Sequence, residues 1–183
     1  PDPLIRYRLD EGGWSGLTGE VQDSGSAGLD ATAFNGVMAA DRSAARSGSV
    51  GTCGYARFDG VDDYLQLQAN SLLDRRSTFS AAAWIRFDTL SDGDIRTIVS
   101  KDENYEFHVN QHGQVYWWWQ SAAGAVRTLT TSASMSSGRW HHVVISYQRG
   151  LQRIYIDGEI AATAGWNEDL MLNQDPLQIG ADQ

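Results

Sequence analysis

Apolar and polar residues alternate along much of this chain in short segments separated by turn residues. Such a period of two is the mark of half-buried β-strands. The opening segment Leu4–Asp10, "LIRYRLD", alternates in this way. Further strand candidates are Tyr55–Phe58, Tyr64–Leu67, Thr78–Phe87, Thr97–Lys101, Tyr105–Asn110, Val115–Gln120, Val126–Thr131, His141–Gln148, Arg153–Asp157 and Leu177–Ile179. The runs "FDGVDD", "SDGD", "QHGQ", "QRGLQ" and "IDGE" punctuate them as turns. Between Glu11 and Gly51, Gly and Ser dominate, and "DSGSAGLDATAFNG" has too little periodicity for a helix. Only Asn70–Arg76 and parts of Ala39–Arg46 could be helical. Many short strands without a long helix predict an all-β fold of antiparallel sheets, and at this length a β-sandwich rather than a barrel.

The segment "NYEFHVNQHGQVYWWWQ" is the most informative. It places three tryptophans in a row in a chain of seven. Neighbouring side chains on a strand point to opposite faces, so the three rings cannot share one core. The loop Gln111-His112-Gly113 fits a type I turn followed by a glycine in the left-handed region. That register sets Val109 against Val115, Phe107 against Trp117 and Tyr105 against Trp119, an apolar face suited to a core of cross-strand aromatic pairs. The other face carries Glu106, His108, Asn110, Tyr116, Trp118 and Gln120. Trp118 is the odd ring. Either a neighbouring loop covers it and it extends the core, or Trp118 and Tyr116 form a stacking platform ringed by hydrogen-bonding groups. The second arrangement suits a sugar, whose apolar face packs on an aromatic while its hydroxyls bond polar neighbours.

Composition changes the picture little. The 183 residues suffice for one domain, and the 42% of apolar residues are ordinary for a globular chain. A net charge of −9 argues against a nucleic-acid partner, which needs clustered Lys and Arg, and disfavours an anionic membrane surface. No apolar run approaches a membrane span, so no membrane insertion is expected, and "PDPLIRYRLD" lacks the shape of a signal peptide. Any export signal would lie upstream. Cys53 is alone; it is either a buried, unreactive thiol or has a partner outside this chain, as in an exported protein.

The segments "YRLDE", "VQDSGSAGLDATAFNG", "YARFDGVDDYLQL", "FSAAAWIRF", "TIVSKD", "RWHHVVISY" and "QRIYIDGE", in that order, resemble the laminin G-like branch of the concanavalin A-like jelly-roll superfamily. With "GTCGYARFDG", "NYEFHVN" and "WWWQ" added, the chain looks most like the laminin G-like domains of large MSHA-type pilus biogenesis proteins of Gram-negative bacteria. The resemblance covers nearly the whole chain and implies a single domain over 1–183, built as two stacked, curved antiparallel sheets. Domains of this kind usually end in a further "IDEVRIY"-like strand after "PLQIG". Here the chain stops at Gln183, so the closing strand is either missing or supplied from elsewhere, and a partner for Cys53 could lie there.

The resemblance also implies a structural calcium at the sandwich rim. Hard oxygen ligands are offered by Asp23 in "DSGSAG" and by Asp59, Asp62 and Asp63 in "FDGVDD". Asp in turns equally serves as a local backbone cap. Jelly-roll glucanases of the superfamily carry "ExDxxE" on one strand. No such spacing occurs here, and the acidic residues of "KDENYE" and "WNEDL" are dispersed around turns. His141 and His142 face opposite sides of their strand, and there is no "GxSxG" or phosphate loop. No enzyme is expected. Two classes remain: a non-catalytic recognition or adhesion module of an exported protein, extracellular, at the cell surface or periplasmic, binding a carbohydrate or surface protein and linked to pilus components; and a structural spacer or assembly domain whose faces bind nothing small.

Overall fold

The computed structural model describes residues 2–40, 54–91, 93 and 95–182. Cys53 and the 41–46 part of the possible helix lie outside them. Thirteen strands occur among the described residues. The first four are β1 (Thr32–Phe34), β2 (Met38–Ala40), β3 (Tyr55–Arg57) and β4 (Tyr64–Leu67). The long strands follow as β5 (Thr78–Ile85), β6 (Ile95–Lys101), β7 (Tyr105–Asn110), β8 (Val115–Gln120) and β9 (Val126–Thr130). The chain closes with β10 (His141–Gln148), β11 (Leu151–Ile156), β12 (Glu159–Ala164) and β13 (Leu177–Ile179). The expected helix at Asn70–Arg76 is a single 3₁₀ turn over Ser71–Leu73, capped by the Asn70 side chain on the Leu72 amide. The described residues divide into two compact units, residues 1–68 with 176–181 and residues 69–175 with 182–183.

In the first unit, β4 pairs antiparallel with β1 on one side and β13 on the other, and β2 pairs with β3. Val21, Ala31, Ala33, Leu65 and Leu67 are buried, and Phe34 stacks on Tyr64 at 4.8 Å. The strand expected at Leu4–Asp10 is reduced to an isolated bridge between Tyr7 and Asp23. The reason is the Asp23 carboxylate. It accepts the amides of Arg6 (2.7 Å), Gly25 (2.7 Å) and Leu29 (2.9 Å), so this Gly/Ser-rich loop is organised by a side chain instead of a sheet ladder. Gly25 is obligatory because a Cβ there would lie 2.6 Å from the Leu4 carbonyl oxygen.

The second unit is a sandwich of two antiparallel sheets, β6-β7-β8-β9 and β12-β11-β10-β5. Between them lies one apolar cluster containing Phe107, Val109, Val115, Trp117, Trp119, Val143, Ile145, Tyr147, Ile154 and Leu170. Strand β10 contributes Val143, Ile145 and Tyr147, which oppose Ala83, Ala81 and Phe79 of β5. Small alanines thus face the sheet that carries the large rings, so volumes match across the layer. Trp117 and Trp119 lie 4.7 Å apart, and each meets Tyr147 edge-on near 6 Å. Neither indole N–H has a hydrogen-bond acceptor among the described residues, so these rings stabilise through buried area and edge contacts. Strand β12, which the alternation did not single out, pairs with β11 through a register shift at Ile154/Tyr155.

The β7–β8 register is the expected one: Glu106 opposes Trp118, Phe107 opposes Trp117, His108 opposes Tyr116 and Val109 opposes Val115. Its turn has Gly113 at φ 73°, with the Gly113 amide on the Asn110 carbonyl at 2.9 Å. A Cβ on Gly113 would also strike the Met135 carbonyl oxygen at 2.7 Å. Trp117, fully buried, is expected to cost about 3–5 kcal/mol when truncated to Ala, as large aromatic truncations in cores do. Chemical denaturation of Trp117→Ala measures this, and unchanged stability would contradict the core assignment.

Candidate functional site

The outward face of β6-β7-β8-β9 is built in rows. One row runs Ser100, Glu106, Trp118 and Thr128, and another Thr97, His108, Tyr116 and Thr130. All six residues predicted for this face, Glu106, His108, Asn110, Tyr116, Trp118 and Gln120, alternate with the core-facing set. They are not equally accessible. Tyr116, Trp118, Asn110 and Gln120 are half-buried, whereas Glu106 and His108 are 7% and 3% exposed. The half-buried positions of this face therefore lie along β8 and at the Asn110 end of β7, and the buried ones in the rest of β7.

Polar contacts explain why β7 tolerates burial. Glu106 accepts the Glu103 amide at 2.9 Å, and its other oxygen lies 3.5 Å from His108 Nε2. His108 Nδ1 meets Thr97 Oγ1 at 3.1 Å. Asp182 brings a third ionisable group, and Ser100 donates to it at 2.5 Å. Burial pushes the Glu106 carboxyl above its ordinary value, the negative Asp182 adds to this, and His108 with the Glu103 amide opposes it. Tyr116 is likewise raised, by burial first and then by Glu106. Asn110 is partly engaged elsewhere: its Oδ1 accepts the His112 and Gln114 amides and so organises the hairpin turn.

Beside Tyr116 a cleft of about 330 Å³ opens, lined by Gly93, Ile95, Asn110, Gln111, His112 and Tyr116. This lies at the lower end of the range for small-molecule sites. Of its lining only Asn110 and Tyr116 were named from the sequence, because a cleft at a turn depends on neighbouring strands that periodicity does not place. Trp84 was also missed. It is 46% exposed on the other sheet, with its ring 4.9 Å from His142. The alternation of β5, with Phe79, Ala81, Ala83 and Ile85 inward, carried that signal. His141 and His142 do face opposite ways, His141 being buried and paired through Nδ1 to Asp157 at 2.8 Å.

The acidic candidates separate into two kinds. Burial opposes ionisation of Asp23, but the amides of Arg6, Leu29, Gly25 and Gly28 outweigh it and hold the carboxyl below its usual range. With its oxygens taken by amides, Asp23 fits a loop organiser better than a calcium ligand. Asp59, Asp62 and Asp63 lie in one turn, each able to bring an oxygen within 4.8 Å of the others. One Asp59 oxygen accepts the Val61 amide at 2.8 Å, and one Asp63 oxygen accepts the Asp59 amide at 2.9 Å. The turn gathers three carboxylates, which could supply only part of the six to eight oxygens a calcium ion takes.

The described strands of the second unit form a sandwich of two antiparallel sheets. The family model described as Concanavalin A-like lectin/glucanases superfamily matches residues 59–183, and the chain belongs to that family. No curated protein matches the chain. Among solved structures it is similar to the botulinum neurotoxin serotype G binding domain, with 16% identity, a TM-score of 0.63, and coverage of 95% of this chain and 43% of that one. It is also similar to domain 4 of AbnA, a GH43 extracellular arabinanase from Geobacillus stearothermophilus, in complex with arabinotriose; identity is 18%, the TM-score 0.58, and coverage 88% of both chains. A third is the binding domain of botulinum neurotoxin DC in complex with SialylT, at 14% identity and TM-score 0.57, covering 97% of this chain and 43% of that one. The chain thus spans under half the length of the two toxin binding domains. At these identities the likeness establishes the fold.

The depressed Asp23 carboxyl has a pH signature. Stability from a group with a lowered folded pKa is present above the unfolded carboxylate range and lost as pH falls through the folded value. Asp23→Ala is expected to lose about 1–2 kcal/mol at neutral pH, with the gap to wild type narrowing in acid. Melting curves from pH 7 to pH 2 on both proteins measure it, and a pH-independent gap would refute the role.

Proposed function

We propose that the chain is a non-catalytic recognition module that binds a carbohydrate on the outer face of β8 and in the adjoining cleft. The observation that carries this reading is the pairing of two half-exposed rings, Tyr116 and Trp118, on one face beside the Asn110–His112 cleft. Tyr116 and Trp118 offer stacking surface, while Gln120, Thr128, Thr130 and the Gln111 and His112 side chains supply hydrogen-bonding groups for hydroxyls. Glu106 and His108 lie beneath this surface and shape it. The arabinotriose and SialylT complexes of the similar domains support carbohydrate as the ligand class. Among the described residues that line the cleft there is no carboxylate, and Glu106 and His108 are buried. The resemblance to MSHA-type pilus biogenesis proteins supports placing the module in an exported surface protein, with pilus components among its partners. No described helix is long and apolar enough to cross a membrane.

Titration with arabinotriose and a panel of sialylated and neutral oligosaccharides, read by tryptophan fluorescence, tests the reading. At least one sugar should quench the wild type, with affinity reduced about tenfold or more in Trp118→Ala and in Tyr116→Ala, the size expected when one aromatic contact is lost. Trp84→Ala should bind normally. Absence of quenching by every sugar would favour a spacer, and quenching that survives both substitutions on β8 would move the site.

Calcium, at the Asp59–Asp62–Asp63 turn, belongs to the same reading as a structural ion. In protein stripped of transition metals, added calcium should raise the melting temperature through preferential binding to the folded state, and Asp62→Asn should abolish the rise. An unchanged melting temperature on calcium addition would remove the ion from the account.

A further inference from the structure

We propose that Glu106, His108 and Asp182 form a binding site for a borderline divalent cation of the zinc type, separate from the acidic turn and next to the proposed sugar surface of β8 on the same sheet face. Each residue brings one ligand atom, and these atoms all lie within 4.8 Å of one another. The spacing between the two strand residues is informative. His108 Nε2 and Glu106 Oε2 are 3.5 Å apart, beyond a good N–H···O hydrogen bond. Two ligands held at about 2.1 Å from one tetrahedral ion stand about 3.4 Å apart, which is close to the separation found.

Burial makes the arrangement more than a surface cluster. The Glu106 and His108 side chains are 9% and 4% exposed, with Nε2 of His108 3.5 Å from Oε2 of Glu106. Two carboxylates and an imidazole gathered there leave excess negative charge. A cation offsets that cost.

Each ligand is also oriented from behind. Thr97 Oγ1 holds His108 Nδ1 at 3.1 Å, which directs Nε2 inward. The Glu103 amide takes one Glu106 oxygen at 2.9 Å and leaves the other toward His108. Ser100 donates to Asp182 Oδ1 at 2.5 Å. Such outer partners are what metal-ligating side chains require. The chemistry selects the ion: one imidazole nitrogen and two carboxylates suit zinc, whereas calcium needs six or more oxygens. Asp182 is exposed, so a fourth position faces water. The ion would fasten Asp182 to the β6–β7 face.

The test uses the full chain, stripped of metal, with zinc as the probe. Saturating zinc should raise the melting temperature by about 5–10 °C, given the stabilisation expected of a ligand at a hundredfold its dissociation constant in a chain of this length. Asp182→Asn, at an exposed position, should fold normally and lose most of the rise. His108→Gln should lose it entirely, and His112→Gln should keep it. Cobalt should give the intense visible bands of a tetrahedral site in the wild type and not in Asp182→Asn. No zinc-dependent rise, or a rise equal in Asp182→Asn and wild type, would mean an adventitious surface ion only and would overturn the site. If His108→Gln does not fold, the Asp182→Asn comparison decides alone. Sugar binding is read separately, so either result stands whether or not the carbohydrate reading does.

Discussion

The pairing of Phe107 with Trp117 across the β7–β8 ladder is the constraint on which the second unit depends. Both are fully buried. Once that pair faces the core, the period of two sends Val109, Val115 and Trp119 with it and turns Glu106, His108, Tyr116 and Trp118 outward. A slip by one residue would put the Glu106 carboxylate into the aromatic cluster, at a cost no sandwich of this size can carry. Gly113 guards the register from the other end. Its left-handed backbone and its close approach to Met135 exclude other residues from that corner of the turn.

An acidic chain must place its carboxylates with care, and this one uses them in three ways. Asp23 is spent on backbone amides, where it holds a glycine-rich turn that no ladder holds. Arg127 forks onto Glu168 and lies over Trp166, which closes the end of the core beside Trp119. The buried Lys101 ammonium is met by Asp74 at 3.1 Å and by Asn173 at 2.6 Å, so its desolvation is offset by charge and hydrogen bonds together. Glu106 is the exception. It is buried beside a second carboxylate, and this imbalance is what sets the outer face of β7 apart from that of β8.

Membership of the concanavalin A-like lectin/glucanases superfamily fixes the scaffold and leaves the ligand to local chemistry. Here the local chemistry is graded across one sheet face. At β6 and β7 it is dry, ionic and oriented by serine and threonine hydroxyls; at β8 and β9 it is aromatic, polar and open to solvent. The first condition suits a small ion and the second a flat ring. Adjacent strands of a single sheet can differ in this way because alternation repeats every row with the same geometry but different residues.

Much of this was legible before any coordinates. The all-β class, the β7–β8 register and the left-handed glycine follow from periodicity and turn chemistry, which act between near neighbours in the chain. The outward position of Trp118 follows by the same rule. What the sequence could not decide was depth. Glu106 and His108 are buried, and the third ionisable group that meets them, Asp182, lies 76 residues from Glu106 in the chain. The reduction of Leu4–Asp10 to a single bridge depends on a carboxylate 17 residues from Arg6. The cleft beside Tyr116 needs Ile95 of β6 next to the β7–β8 turn. Alternation assigns a face to each side chain; only the packing of distant segments decides which of those faces stay open, because burial is a property of what lies above a residue and not of its own strand.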